Sequence, residues 1–344
     1  MTSQFFSDQD RANVEAWLKG RVDGVSQIRS VSKFPGGQSN PTFLIETDGP
    51  KLVLRRKPPG QLLKSAHAVD REFRVQRALA NSDVPVSRVH ALCQDESVIG
   101  ADFYVMDYVE GRNFDLPNLP DQSPETRFAI IDEMNRVLAA LHEVDIEACG
   151  LADYGPEGNY YRRQLDRWTK QYRSSQTADI APMEALMAWL DANVPDELGQ
   201  RRLVHGDYRI DNMLFHGTES RCLAVLDWEL STIGHPYADL GAVLMQWAMP
   251  VGPEGRGLAG VDRKALGLPS DAEFVDAYCR RRGLAGIDNL GFYVAFAFFR
   301  MAAILQGVLK RALEGNASNP ERAKLVGSYV PLYAEGGLKA AGEI

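Results

Sequence analysis

The stretch His205-Gly206-Asp207-Tyr208-Arg209-Ile210-Asp211-Asn212, followed by Val225-Leu226-Asp227-Trp228-Glu229, constrains this chain more than any other feature of it. Asp227 stands fifteen positions after Asn212. Short apolar pieces flank these residues: Leu203-Val204, Met213-Leu214-Phe215 and the run from Cys222 to Leu226, the last reading as a buried strand. Short strands on either side of a polar loop would bring Asp207, Asn212 and Asp227 to one end of a small sheet. A carboxylate, a carboxamide and a second carboxylate in that order suit transfer of a γ-phosphoryl group to a hydroxyl. Charge then spreads over non-bridging oxygens, so catalysis is mostly positioning and neutralisation by magnesium. Magnesium prefers oxygen ligands, which makes Asn212 and Asp227 the candidate metal ligands. Asp207, beside Gly206, is the candidate base toward the attacking hydroxyl. Arg209 is a candidate fixed cation for the transferring phosphate.

A nucleotide-binding region must then precede this segment, and residues 25–111 have the pattern of one. Phe34-Pro35-Gly36-Gly37-Gln38-Ser39-Asn40 lies between the alternating stretch Val25 to Phe34 and Thr42 to Thr47. That order reads as strand, glycine turn, strand, with backbone amides at Gly36, Gly37, Ser39 and Asn40 free to approach phosphate, or as a plain hairpin. Asp48-Gly49 is a strong turn signal and leads into a third strand, Lys51 to Arg56. Side chains alternate along a strand, so Val53 and Arg55 share one face while Leu52, Leu54 and Arg56 share the other. Val53 is placed to cover a base and Arg55 to meet phosphates. Lys57 shares the face of Arg55, and either cation could hold the phosphates. Apolar Val69, Phe73 and Leu79 follow at near-helical spacing and carry Glu72 as an orienting carboxylate. Phe103 to Gly111 reads as an apolar strand that runs into a glycine turn.

HGDYRIDN resembles the catalytic loop of the aminoglycoside phosphotransferase and choline kinase families, distant relatives of protein kinases. LDWE resembles their metal-binding segment. The resemblance implies an α+β, protein-kinase-like bilobal fold. Residues 1–109 would form an N-terminal antiparallel sheet lobe with one main helix and a hinge at its end. Residues 110–344 would form a mostly helical lobe with the catalytic loop, metal site and acceptor site. It implies Asp207 as catalytic base, Asn212 and Asp227 as Mg2+ ligands and Glu229 as a further contact. It also implies Glu72 as partner of the phosphate-binding cation, which is usually lysine in the family. Met106 would line the adenine pocket, and the backbone of Asp107 and Val109 would bind the adenine edge. Because hinge contacts are made by backbone, ATP and GTP both remain open as co-substrate. In the family the aspartate equivalent to Asp239 braces the catalytic loop.

FPGGQSN, RRKPPG, YYRRQLDRW and HGDYRIDN together resemble the phosphotransferase branch found beside, or fused to, acyl-CoA dehydrogenases. That similarity implies a hydroxyacyl-CoA or another hydroxylated anionic metabolite as the small-molecule acceptor. Tyr161 and Arg162 of YYRRQLDRW are candidate acceptor contacts, because arginine suits phosphate and carboxylate recognition. The same helix could instead pack Tyr161, Leu165 and Trp168 inward. An aminoglycoside or choline-like alcohol kinase and a nucleotide-binding pseudokinase scaffold are the alternatives. No Ala-Pro-Glu signature follows Asp227, which argues against a protein kinase.

A length of 344 residues suits two lobes around a cleft, and the formal net charge of -8 gives no reason to expect nucleic acid as a partner. Cys93, Cys149, Cys222 and Cys279 show neither metal-ligand nor disulfide spacing. Met1 to Arg21 reads as a capped amphipathic helix without a signal-peptide core. Phe292 to Leu309 is very apolar, but Arg300 and Gln306 interrupt it and no membrane span is expected. The expectation is a cytoplasmic enzyme, with a homodimer left open. Ser123-Pro124-Glu125 reads as a helix start. Proline, glycine and polar residues mark loops at Leu116 to Pro124 and at Pro250 to Pro269, the second a candidate lid or insert over the acceptor site.

Overall fold

A computed structural model describes residues 6–35, 40–58, 67–196, 200–252, 256–317 and 319–342. In chain order its elements are α1 (Asp8–Leu18), β1 (Ile28–Lys33), β2 (Thr42–Thr47), β3 (Leu52–Arg56), α2 (Val69–Leu79), β4 (Val89–Cys93), α3 (Glu96–Ile99) and β5 (Phe103–Asp107). There follow α4 (Pro124–His142), α5 (Tyr160–Ser175), α6 (Ala181–Ala192), β6 (Arg202–Val204), β7 (Met213–Phe215), β8 (Cys222–Val225) and β9 (Thr232–Gly234). The chain ends with α7 (Tyr237–Trp247), α8 (Arg263–Leu266), α9 (Asp271–Arg281), α10 (Leu290–Leu313), α11 (Pro320–Gly327) and α12 (Val330–Ala341). Two compact units form from these. One takes Met1–Asn113, Cys149–Leu151 and Asn212–Ser231, and the other takes Phe114–Ala148, Ala152–Asp211 and Thr232–Ile344.

The first unit is built on an antiparallel sheet in the order β1-β2-β3-β5-β4. Ser7 starts α1 with a capping box, its hydroxyl accepting from the Asp10 N–H while the Asp10 carboxylate accepts from Ser7. Alternation along β3 then sorts the core into two layers. Leu52 and Leu54 pack with Phe43, Ile45, Val14 and Leu18, while Val53 packs with Val69, Phe73, Tyr104 and Met106. Helix α1 therefore covers one face of the sheet and α2 the other. Each large apolar side chain buried this way contributes about 1.5–3 kcal/mol. The β7–β8 hairpin also belongs to this unit, whereas a single cut after residue 109 leaves it with the helices. It is tied in by reciprocal bonds between Arg112 and Phe215, with N–H to carbonyl distances of 2.7 and 2.8 Å. Gly111 permits that approach, since a Cβ there would lie 2.6 Å from the Phe215 carbonyl.

The second unit is helical apart from the short β6–β9 pair. Its centre is α10, which packs against α5, α6, α7, α11 and α12. By length and composition α10 is long and apolar enough to cross a membrane, despite Arg300 and Gln306. Here most of that surface is spent on protein neighbours: Phe292, Phe296, Phe299, Ala302 and Ala303 are all buried. Tyr161 of α5 sits among Phe292, Tyr293, Phe296 and His235, with ring centroids 5.0 to 5.4 Å away.

His235 is a buried core residue as well as a turn residue. Its ring stacks on Tyr293 at 5.1 Å, and its Nδ1 accepts from the Tyr237 N–H at 3.3 Å. Burial, then the nearby His142 and Arg282, push its pKa down to about 3 from 6.5. The stability contributed by neutral His235 is complete above the unfolded value of 6.5 and drains as pH falls toward 3. The loss amounts to at most about 1.4 kcal/mol per pH unit. Urea melts at about pH 7 and about pH 5 should show acid destabilisation that is smaller in His235→Gln than in the parent chain. Equal losses in the two proteins would remove His235 as a cause.

Candidate functional site

In the first unit the site begins with the β7–β8 hairpin. Met213 pairs with Val225, and the Leu226 N–H donates to the Asn212 carbonyl at 2.8 Å, so Asn212 and Asp227 stand at the same end of the hairpin. Asp227 leaves β8 in the left-handed region, with φ 63° and ψ 62°. For a residue other than glycine that conformation costs about 1–2 kcal/mol, and such strain gathers at functional sites. It turns the chain into the single 3-10 turn Trp228–Leu230, where the indole N–H of Trp228 donates to the Val225 carbonyl at 2.9 Å.

Arg55, partly exposed on the α2 side of β3, reaches two carboxylates at once. Its Nε lies 2.7 Å from Glu72 Oε2, its Nη2 2.6 Å from Asp227 Oδ1, and the same Nη2 is 3.8 Å from Glu229 Oε2. Burial alone would lower the Arg55 guanidinium, but Glu72, Tyr104 and Asp227 hold it above the ordinary arginine value. Glu72 is 1% exposed, and burial pushes its carboxyl up against the opposing pull of Arg55. Three groups fix it: Asn40 Nδ2 donates to Oε1 at 2.7 Å, the Tyr104 hydroxyl donates to Oε2 at 3.2 Å, and Arg55 sits on the same oxygen. Asn40 Oδ1 in turn lies 3.0 Å from His67 Nδ1. With Nδ2 already committed to Glu72, that oxygen is the acceptor and His67 Nδ1 carries the proton.

In the second unit the segment from Asp207 to Asp211 alternates between buried anchors and partly buried polar groups. Tyr208 and Ile210 are buried, and the Tyr208 hydroxyl donates to the Met134 carbonyl at 2.7 Å. Asp207, Arg209 and Asp211 are only partly buried. The buried carboxylate of Asp239, in the first turn of α7, accepts the N–H of His205 at 2.7 Å on Oδ2 and of Gly206 at 2.8 Å on Oδ1. Burial would raise this carboxyl, but His142 first, and then His205, hold it below the ordinary aspartate value. Gly206 needs its lack of a side chain, with φ 83°. Its carbonyl accepts from Arg300 Nη1 at 3.0 Å, and the Arg300 guanidinium lies over the Trp168 ring at 5.7 Å.

Several expected residues occupy other roles. Asn40 is fully buried and bonded to Glu72 and His67, so it supports the carboxylate. Gly36, Gly37 and Ser39 lie outside the described residues. Val53 and Met106 line the same cluster beneath α2. The Asp107 N–H is taken by the Arg88 carbonyl at 2.9 Å, and Val109 is half-buried beyond the strand end. Lys57 pairs with Asp102 at 2.5 Å, so it is Arg55 that meets Glu72. Tyr161 is 0% exposed in the aromatic core and Arg162 is paired with Asp191 on the surface. The inward-packing alternative thus describes Tyr161, and burial keeps it from meeting an acceptor. Arg209 is held by Asp211, with Nε to Oδ1 at 2.9 Å and Nη2 on Oδ2, instead of extending freely. Sequence reasoning missed the Tyr104 contact with Glu72, the His67 contact with Asn40 and the Arg300 contact with Gly206. Only Arg300 carried a signal, as a charge inside an apolar helix.

As to what could be held here, Asn212, Asp227 and Glu229 offer hard oxygen donors, the set that suits magnesium. Among the described residues no group of three or more His, Cys, Asp or Glu side chains is arranged to hold a metal ion. Magnesium commonly takes one or two carboxylates and completes its shell with water and substrate phosphate, so this donor set fits it.

The profile of the phosphotransferase enzyme family known as APH matches residues 30–293, and this chain belongs to that family. A crystal structure from Ralstonia eutropha JMP134, provisionally named an aminoglycoside phosphotransferase, superimposes with a TM-score of 0.89 at 48% identity, over 96% of this chain and 98% of that one. Aminoglycoside phosphotransferase APH(4)-Ia, solved with AMP-PNP and hygromycin B, shares the fold with a TM-score of 0.63 at 16% identity, over 96% of this chain and 99% of that one. Acyl-CoA dehydrogenase family member 10 of Mus musculus is 46% identical over 308 residues, 89% of this chain and 29% of that protein. The chain thus spans less than half the length of the curated relatives it matches. The kinase-like α+β fold is that of the aminoglycoside phosphotransferases.

Replacing Arg55 by methionine strands the buried Glu72 carboxylate, and losing one partner of a buried ion pair costs about 3–5 kcal/mol. Urea unfolding of Arg55→Met should show a loss of that order. A loss under about 1 kcal/mol, the range of an exposed pair, would contradict the burial argument.

Proposed function

We propose that this chain transfers the γ-phosphoryl group of ATP or GTP to a hydroxyl of a small molecule, and that the acceptor is anionic, a hydroxyacyl-CoA being the leading class. The observation that carries the reading is the Arg55 guanidinium spanning Glu72 and Asp227. A phosphotransferase needs a cation fixed by a buried glutamate beside a carboxylate that can hold magnesium. Family membership supports the same reaction class. The acceptor class is supported by likeness to acyl-CoA dehydrogenase family members and by Arg209 of the catalytic loop and Arg300 of α10, which bonds that loop.

In this reading Arg55 holds the α- and β-phosphates and Glu72 orients it. Val53 and Met106 cover the base, while the Asp107 carbonyl and Val109 N–H take its edge. Asn212 and Asp227 hold magnesium, which when bound neutralises phosphate charge, and Glu229 adds a carboxylate nearby. Asp207 accepts the proton of the attacking hydroxyl. Asp239 and Arg300 keep the loop under it rigid from both sides of Gly206, through the N–H and the carbonyl.

The test is magnesium-dependent nucleotide turnover against hydroxyacyl-CoAs, choline-like alcohols, sugars and aminoglycosides. Asp207→Ala should lower turnover by roughly 10²–10⁴-fold while leaving nucleotide affinity within about twofold. Nucleotide binding without phosphotransfer to any acceptor would favour a scaffold. Turnover with aminoglycosides and none with acyl-CoAs would overturn the acceptor class.

A further inference from the structure

Beside the proposed base, two arginines converge on one carboxylate. Asp211 is held on Oδ1 by Arg209 Nε at 2.9 Å and on Oδ2 by Arg209 Nη2, and Arg256 Nη1 reaches the same Oδ2 at 2.5 Å. Arg256 comes from the loop between α7 and α8, where its backbone stands at φ 49° and its N–H donates to the Gly252 carbonyl at 2.8 Å. Arg300 adds a third guanidinium on the Gly206 carbonyl. The loop Gly206 to Asp211 therefore carries three guanidinium groups against the carboxylates of Asp207 and Asp211, a positive surplus in a chain whose formal net charge is -8.

Asp211 occupies one edge of the Arg209 guanidinium, and Arg256 remains 37% exposed with only Nη1 on Asp211. A guanidinium so held is oriented while keeping further N–H groups for a planar or tetrahedral anion. Arg209 also lies close enough to Asp207 for that charge to help raise its pKa above the ordinary arginine value, after burial, which opposes, and the Asp211 bond. An acceptor whose hydroxyl meets Asp207 would bring its other groups toward these arginines.

We infer that Arg209 and Arg256, spaced by Asp211, form the receptor for an anionic group of the acceptor, a carboxylate or a phosphate. The inference rests on the phosphotransferase reading for the place of the acceptor, yet it makes a claim about binding alone. It moves acceptor recognition from Arg162, which Asp191 neutralises, to the catalytic loop and the loop between α7 and α8.

Equilibrium binding without nucleotide tests it separately from phosphotransfer. The probes are pairs: 3-hydroxybutyrate with its ethyl ester, a hydroxyacyl-CoA with the corresponding pantetheine thioester lacking phosphates, and glycerol 3-phosphate with glycerol. In the parent chain at least one anionic probe should bind more tightly than its neutral partner. Arg256→Gln should cut that preference about tenfold, and Arg256→Lys should keep part of it. ADP affinity, measured on each variant, reports an intact fold. No anionic preference in the parent chain, or one that survives Arg256→Gln, would overturn the inference. A failure of phosphotransfer with binding preference intact would count against the reaction and not against the receptor.

Discussion

A buried carboxylate is tolerable only when its charge is met, and in the first unit Glu72 sets the terms on which the site is assembled. Arg55 meets it from β3, Asn40 from two residues before β2 and Tyr104 from β5, so one side chain of α2 gathers two strands of the sheet and the turn that leads into a third. The guanidinium matters here for geometry as much as charge. Arg55 keeps Nε 2.7 Å from Glu72 Oε2 as an ion pair and donates from Nη2 to Asp227 Oδ1 at 2.6 Å, so one extended cation meets both carboxylates. A lysine ammonium is a point charge on a flexible stem and would not meet two carboxylates from two separate nitrogens.

The second unit solves a parallel problem with a different residue. Asp239 accepts two successive N–H groups at His205 and Gly206, while His142 lies 3.4 Å from its Oδ2 beneath. Arg300 takes the Gly206 carbonyl from α10. The backbone on both sides of Gly206 is thus fixed by charged groups, and Asp207 follows directly from that fixed point. The apolar bulk of α10 supplies the surroundings in which such bonds are strong, since water competes poorly there.

How much of this could be read from sequence depends on the range of the contact. Alternation along β3 separated Val53 and Arg55 from Leu52 and Leu54, because a strand's period is local. The helical spacing of Val69, Phe73 and Leu79 placed Glu72 on α2 for the same reason. Asn40 was legible as part of a glycine-rich turn and not as a partner of Glu72, since nothing in local pattern encodes a bond across 32 positions. Tyr161 illustrates a different ambiguity. An aromatic at the start of an Arg-rich helix fits a binding face and a core face equally, and only the presence of Phe292, Tyr293 and Phe296 on α10 decides it. Arg256 lies in an irregular loop, where no period exists to read.

The alternation of Tyr208 and Ile210 with Asp207, Arg209 and Asp211 has a consequence for how such a chain can change over generations. In the proposed reading anchoring and chemistry are interleaved yet carried by separate positions, so Asp207 and Arg209 can change while buried Tyr208 and Ile210 keep the loop in place. A lineage could retune its acceptor, or fall silent as a catalyst, one outward residue at a time, without passing through an unfolded ancestor. Diversity of substrates on a constant scaffold is what that division of labour permits.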